Sequence, residues 1–286
     1  MRIVKAFEHI PHLVLAPSGS IRFHENPEHN RTLRLVERLR EDRFLRNPPI
    51  VATLRPGEYV LLDGANRVSA FRALGYSHVP VQVVDYGDPH VTLKGWHHLL
   101  QEGRSLDLRA RYEAIPGVTL RRIDCEELTP QLELRRLYAV LVDETTTCWG
   151  LSSEHESGPA DLIGWMRILE QVVAAYEGKT RLERIKLADY SNLPDVFKTM
   201  EHQLVLYPKL TKVELLQLVD AGVMIPTGIS RHNIPGRALG LNIDLAFLTA
   251  LDSDAAKEKH LRDYVDDLEV RGRIRFYEES AFIMNE

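Results

Sequence analysis

The sequence predicts an α/β (α+β) chain of two domains, and three observations lead there. The chain has 286 residues, long for one domain and ample for two. Hydrophobic residues make up 44% and charged residues 27%, the balance of a globular protein with a sizeable core. Short β-branched runs alternate with stretches of helical spacing over residues 1–90, as in a small mixed α/β domain. A second series of helices and strands follows, so the boundary is expected near residue 90, with 91–286 forming a second mixed α/β domain.

In chain order, Ile3–Phe7, Ile50–Leu54, Val60–Leu62 and Val79–Val84 have strand length and β-branched content. Between the first two, Leu33, Val36, Leu39 and Leu45 fall near helical spacing with charges between them. Asn66–Leu74 repeats the pattern on a shorter helix, and Gly75 stands where a helix stop belongs. "PHVTLKGWHHLLQEG" reads as a helix leading out of the first domain. Leu137–Val142 and Thr147–Leu151 flank "DETT" as a hairpin. Pro159–Tyr176 is amphipathic, with Pro early and Gly178 after its end. Leu204–Tyr207 reads as a strand. Thr211–Ala221 reads as a helix whose Thr211 and Glu214 form a capping box. Gly222–Arg237 has no periodicity and holds two prolines and three glycines, a long loop of the kind that often carries function. Lys257–Glu269 is a charged helix, and "RIRFYEES" an edge strand.

Composition excludes several classes. A net charge of −5 argues against a nucleic-acid coat, which needs a basic surface. No apolar run is long enough for a membrane span, and the N-terminus is too broken by polar residues for a signal peptide. Cys125 and Cys148 match neither a disulfide framework nor a zinc spacing. They are expected as buried thiols in a reducing cytoplasm. His97 and His98, being adjacent, face different ways and make poor joint metal ligands.

The chemistry-bearing stretch is "LLDGANR". A strand that ends in Asp63-Gly64 and runs at once into a helix is a setting for phosphate. The helix start presents unpaired N–H groups at the positive end of its dipole. Gly64 permits close approach, and Arg67 adds a planar cationic fork. The residues alone leave a second reading open: Asp63 caps the helix, Gly64 makes the turn and Arg67 is solvated.

"LLDGANRVSAFRALGYSHVPVQVVDY", preceded by "IRFHENPE", a helix and "LRNPPIVAT", resembles the ParB/sulfiredoxin superfamily. Ala65 stands where sulfiredoxins carry their catalytic cysteine, so that chemistry is excluded. The Gly-Glu-Arg-Arg run of chromosome-partitioning ParB proteins is also absent. The features Asp63-Gly64 with Arg67, His24-Glu25, "LKGWHHLL" and "PTGISRHNIPGRALGLN" are similar to the free L-serine kinase branch, found in archaea and beside bacterial siderophore genes. The sequence departs from archaeal members at Ala65 and Asn66, where they tend to have histidines.

The resemblance implies a ParB/sulfiredoxin-like nucleotide-binding domain at 1–90 and a C-terminal domain closing over the substrate. It implies transfer of a phosphoryl group from ATP or ADP to free L-serine, with Mg²⁺, for siderophore or cysteine-precursor synthesis. Glu25 is then the general base and Asp63 its catalytic partner. Gly64, Ala65, Asn66 and Arg67 hold the phosphates. Trp96, Thr227, Ser230, Arg231 and His232 hold the serine, with Arg231 suited to its carboxylate. No metal ligand set is assigned, and the oligomeric state is left open. A reading of a different class is a ParB-like nucleotide-binding regulator that contacts DNA. That reading requires a basic recognition helix, and no helical stretch here is both basic and free of acids.

Overall fold

The computed structural model describes residues 10–153, 161–187 and 201–277, and the backbone of 281–284. The chain divides into two compact units, 1–92 with 232–286, and 93–231. The boundary expected near residue 90 thus has a counterpart at 231, because the last segment rejoins the first unit.

The first unit is built on a five-stranded sheet of order β1-β6-β4-β5-β2, with β1 Leu13–Pro17, β2 Ile21–Arg22, β4 Ile50–Arg55, β5 Glu58–Asp63 and β6 His78–Val84. A two-residue β3, Phe44–Leu45, lies outside it and pairs with Ile243–Asp244. β4 runs antiparallel to β5 and parallel to β6. The helices are α1, His29–Asp42, and α2, Ala65–Ala73. Gly75, at φ 77°, stops α2 as expected. The first expected strand, Ile3–Phe7, lies outside the described residues.

One core explains why the chain returns. Leu13, Leu15, Val51, Leu61, Val68, Phe71, Val79 and Val81 pack in the same cluster as Ala238, Leu241, Ile243, Leu245, Phe247, Leu261 and Leu268. The helix Asp254–Val270 contributes the last two, and its Glu258 Oε2 accepts from the N–H of Leu15 on edge strand β1 at 2.9 Å. A fully buried Leu, Ile or Phe contributes ~1.5–3 kcal/mol, so this shared cluster accounts for the final segment's place.

The second unit holds a six-stranded sheet of order β12-β8-β13-β10-β11-β9. Its strands are β8 His97–Leu100, β9 Val118–Ile123, β10 Ala139–Val142, β11 Cys148–Ser153, β12 Leu182–Ile185 and β13 Gln203–Leu206. The expected hairpin is β10–β11, closed through Asp143, whose Oδ1 accepts from the N–H groups of Thr145 and Thr147. The helix expected over 159–176 runs Leu162–Ala174, capped by Asp161; Pro159 lies outside the described residues. The capping box of Thr211 and Glu214 is formed, on the helix Lys212–Asp220.

Two expectations are corrected. "PHVTLKGWHHLLQEG" is not a helix but β7, Thr92–Gly95, and β8. β8 is interior to the sheet, between β12 and β13, and all four of its residues are buried. A strand covered on both faces shows no alternation. The cysteines are not free thiols: Cys125 and Cys148 form a disulfide with Cα atoms 5.7 Å apart, inside the range such bonds need. β9 and β11 pair with Ile123 opposite Cys148, which brings Cys125, two residues on, within reach.

The returning segment adds β14, Ser230–Asn233, in a two-stranded ribbon with β7, and β15, Arg237–Leu239. The stretch read as an unbroken loop therefore contains a strand and ends at another. Ile274–Tyr277 is the edge strand of a three-stranded sheet with β15 and Ala281–Met284. No helix among the described residues is long and apolar enough to cross a membrane.

Candidate functional site

β5 delivers Asp63 to the start of α2. Gly64 is the N-cap at φ 102°, ψ 31°, and no side chain caps the helix. The first backbone bond back to the turn runs from the Val68 N–H to the Gly64 carbonyl at 3.0 Å. The N–H groups of Ala65, Asn66 and Arg67 precede that ladder, as in any helix start. They stand at the positive end of the dipole, where an anion is favoured.

Asp63 does not cap α2. Its Oδ2 accepts from Arg67 Nη2 and from Arg237 Nη1, each at 3.0 Å. Burial pushes the Asp63 carboxyl up, but the two guanidiniums outweigh it and hold it below the usual carboxylate range. Arg67 turns back beneath the turn, where Nη1 donates to the carbonyls of Asn47 at 2.8 Å and Pro48 at 2.9 Å. A Cβ on Gly64 would stand 3.0 Å from Arg67 Nε, Arg67 Nη2 and Pro49 Cβ. Glycine is therefore required by space as well as by φ. Asn66 Oδ1 accepts from the Glu28 N–H at 2.7 Å and the Thr32 hydroxyl at 3.1 Å, joining α2 to the start of α1. Ala65 packs on the core.

Two buried histidines support this turn from behind. His24 Nδ1 lies 2.6 Å from the Leu61 carbonyl; a carbonyl only accepts, so Nδ1 carries the proton. His232 makes a backbone hydrogen bond with Leu62, and its Nε2 lies 2.9 Å from the Tyr86 hydroxyl. The rings meet edge to face at 5.2 Å. Burial, then the neighbouring His24, lowers the His232 pKa to about 3, so its imidazole is neutral at pH 7. Both rings thus anchor the last residues of β5 before Asp63. Glu25, half-buried, directly follows His24.

A cavity of about 240 Å³ opens beside the turn. Asp63, Arg67 and Arg237 form part of its wall; Leu35, Leu39 and Phe44 are among its apolar lining. Arg237 is presented from β15 by a buried glutamine. Gln82 Nε2 donates to the Gly236 carbonyl and Gln82 Oε1 accepts from the Ala238 N–H, both at 2.9 Å, so one amide brackets residue 237.

The second unit brings Trp96 and Arg231 together. The Arg231 guanidinium lies over the indole at 4.6 Å and Lys186 Nζ at 5.5 Å, cation–π distances. The Trp96 N–H donates to the Ile229 carbonyl at 3.0 Å. Gly228, at φ 82°, has the Arg184 guanidinium packed against its Cα. Its carbonyl accepts from His98 Nε2 at 2.9 Å, while His98 Nδ1 accepts from the Tyr176 hydroxyl at 2.6 Å. Burial lowers the His98 pKa to about 4, so this anchor is neutral. Ser230 is buried and Thr227 half-buried on the same segment.

The expected residues therefore form two groups. Glu25, Asp63, Gly64, Ala65, Asn66, Arg67 and His232 belong to the first unit, and Trp96, Thr227, Ser230 and Arg231 to the second. His232 was expected beside Arg231, but neighbours on a strand face opposite ways, and His232 lies with His24 and Tyr86. Sequence reasoning missed Arg237, Gln82, Lys186 and the anchoring role of His98. One signal was present: a glutamine in the apolar run "VPVQVV" requires a buried partner.

No protein-family model matches the chain. It is 26% identical over 279 residues to the ATP-dependent L-serine kinase SbnI of Staphylococcus aureus, covering 96% of this chain and 98% of that protein. It is 23% identical over 222 residues to an ATP-dependent L-serine kinase of Staphylothermus marinus, covering 74% and 81%. Among solved structures, SbnI with a C-terminal truncation, from Staphylococcus aureus, aligns with a TM-score of 0.73 at 25% identity, over 90% of this chain and 96% of that one. A glutamate-to-alanine mutant of a free serine kinase in complex with AMP aligns with a TM-score of 0.70 at 17% identity, over 84% and 95%, a likeness of fold. The chain is thus similar to ATP-dependent L-serine kinases along almost its whole sequence and in its fold.

Proposed function

We propose that the protein is a phosphotransferase that converts free L-serine and ATP to O-phospho-L-serine and ADP. The observation that carries the reading is the Asp63–Gly64 turn. It opens a helix whose first N–H groups no side chain caps, in a chain that matches ATP-dependent L-serine kinases over nearly its full length. ATP is preferred to ADP as donor because the curated relatives bear that name.

In this reading the serine hydroxyl attacks the terminal phosphorus. The bond from that phosphorus to the bridging oxygen breaks and ADP leaves. The hydroxyl proton passes to Glu25, a positioned carboxylate of the kind that contributes ~10²–10⁴-fold as a general base. The N–H groups of Ala65, Asn66 and Arg67 receive phosphate oxygens, and the cavity beside the turn gives room to the nucleotide. Arg231 takes the serine carboxylate, with Trp96 as an apolar wall and the hydroxyls of Thr227 and Ser230 as further polar partners. His232 acts by holding β5, since its polar atoms already engage Tyr86 and Leu62.

Among the described residues no three His, Cys, Asp or Glu side chains gather into a metal cage. A Mg²⁺ brought by the nucleotide needs only one or two carboxylates beside the phosphates and water, and Asp63 is the proposed one. When bound, it neutralises charge on the transferring phosphoryl group.

The test is to incubate the protein with Mg²⁺, L-serine and either ATP or ADP and to follow phosphoserine by phosphorus NMR. Phosphoserine with ATP is expected. Its absence with both donors, or a preference for homoserine or threonine, overturns the proposal. Glu25→Gln should lower kcat by roughly 100-fold or more with ATP affinity unchanged; an active variant excludes Glu25 as the base.

A further inference from the structure

We infer that Arg237, rather than Arg67, is the guanidinium that grips the outer phosphates of the nucleotide, and that Arg67 is the buttress of the turn. The inference rests on the kinase reading above and deepens it.

The two arginines share one carboxylate oxygen and differ in what else they do. Arg67 spends Nη1 on the carbonyls of Asn47 and Pro48 and Nη2 on Asp63. The rest of its guanidinium is pressed under Gly64, at the distance where a Cβ would collide with Nε and Nη2. Its side chain is 23% exposed. Moving it to meet a ligand would break three hydrogen bonds and empty the space beneath the turn. Arg237 uses only Nη1, on Asp63. Its Nε and Nη2 have no hydrogen-bond partner among the described residues, its side chain is 34% exposed, and it lines the cavity beside the turn. A guanidinium has five donors in a rigid fork that matches two oxygens of a phosphate. Arg237 keeps the part of that fork which can close on one.

Arg237 is also held in place. Gln82 clamps the backbone on both sides of it, Gly240 donates its N–H to Asn47 Oδ1 at 2.9 Å, and Asp63 fixes one end of the guanidinium. A donor held in advance where charge develops needs no reorganisation when the reaction occurs. The role is that of an arginine supplied by the chain itself to the transferring phosphoryl group. It touches substrate directly, whereas Gln82 is a positioning residue that acts through it.

The experiment uses the full chain and compares ATP with AMP by titration calorimetry in Mg²⁺. AMP shares the nucleoside and first phosphate but lacks the outer two. Arg237→Ala should weaken ATP roughly 10- to 100-fold, the scale of a lost charge-assisted contact, and change AMP by less than about 2-fold. Arg237→Lys, which keeps the charge and the pairing with Asp63, guards against a folding failure and should recover only part of the loss. Arg67→Ala should lower the thermal midpoint and weaken ATP and AMP alike. Gln82→Met should reproduce part of the Arg237→Ala effect on ATP, and the double variant should lose no more than Arg237→Ala alone. Unchanged ATP affinity in Arg237→Ala overturns the inference, as does equal weakening of ATP and AMP, or a wild-type protein that binds no ATP. If the wild type makes no phosphoserine yet ATP binding still depends selectively on Arg237, the anion site stands and the serine reading falls.

Discussion

Gly64→Ala is the substitution whose consequence the geometry defines most closely. At φ 102°, ψ 31°, an alanine leaves the region that L-residues tolerate. The left-handed conformation alone costs it ~1–2 kcal/mol. The new methyl meets Pro49 Cβ at 3.0 Å, against the ~3.5–4.0 Å at which carbon atoms rest. A proline ring has little freedom to retreat. The other two neighbours, Nε and Nη2 of Arg67, also at 3.0 Å, can retreat only by loosening Arg67 from Asn47, Pro48 and Asp63. Overpacking of this kind costs ~1–3 kcal/mol, so the total is about 2–5 kcal/mol. For a domain of this size each kcal/mol lowers the midpoint by ~2–4 °C. The transition that unfolds the first unit should therefore fall by roughly 4–20 °C, with ATP affinity reduced because the turn has moved. Calorimetry and a denaturant titration with unchanged slope are the assays. Adding Arg67→Ala removes one of the two clashes, so the double variant should be less destabilised than the sum of the singles. A Gly64→Ala protein with the wild-type midpoint and wild-type ATP affinity would refute the claim that space and φ both demand glycine here.

Two further outcomes are expected. Arg231→Ala should raise the KM for serine roughly tenfold or more while the Kd for ATP stays put, and Arg231→Lys should recover little because the planar fork is lost; steady-state kinetics with a parallel nucleotide titration decide it, and a variant that loses ATP instead would assign the residue to phosphate handling. Glu214 gives a pH dependence: burial raises its carboxyl, but hydrogen bonds from Arg135 and Thr211 prevail and bring it from 4.5 to about 2. A depressed folded pKa contributes stability that is fully present above about pH 4.5 and lost as pH falls toward 2, at most ~3 kcal/mol here. Midpoints measured from pH 6 down to pH 2.5 should fall less steeply in Glu214→Gln than in the wild type, and parallel profiles would show that the Arg135–Glu214 pair carries no such linkage.

Legibility followed the distance over which each signal acts. Strands β4, β5 and β6 and helices α1 and α2 were readable because their apolar spacing is a property of the segment itself. The Asp63–Arg67 turn was readable for the same reason, as five consecutive residues at a strand–helix junction. β8 was not, since His97-His98-Leu99-Leu100 is buried throughout and a strand without a wet face has no period of two. The cysteine pair depends on the register of β9 against β11, which no spacing announces. Arg237 lies 174 residues from the carboxylate it meets, inside a stretch that reads as loop. Asp63 itself gave no hint of needing a second guanidinium.

That separation raises the question of how the first unit is completed, because its turn lacks Arg237 and its core lacks Ala238, Leu241 and Ile243 until the chain has passed through residues 93–231. Closing an unstructured insertion of that length costs ~4 kcal/mol beyond a constant, from the logarithmic growth of loop entropy. The second unit removes most of this term by its own fold. Its entry and exit strands are tied together where the Trp96 N–H meets the Ile229 carbonyl and His98 holds the carbonyl of Gly228. Once that unit has formed, its ends are already adjacent and the insertion acts as a short loop. The bonds that seat Arg231 over Trp96 at 4.6 Å are therefore the same bonds that return the chain beside its point of departure. The residue after Arg231, His232, already belongs to the first unit, and by residue 237 the chain has supplied the guanidinium that Asp63 receives. Local order around Gly228 is thus coupled, through chain closure, to completion of the Asp63–Arg67 turn.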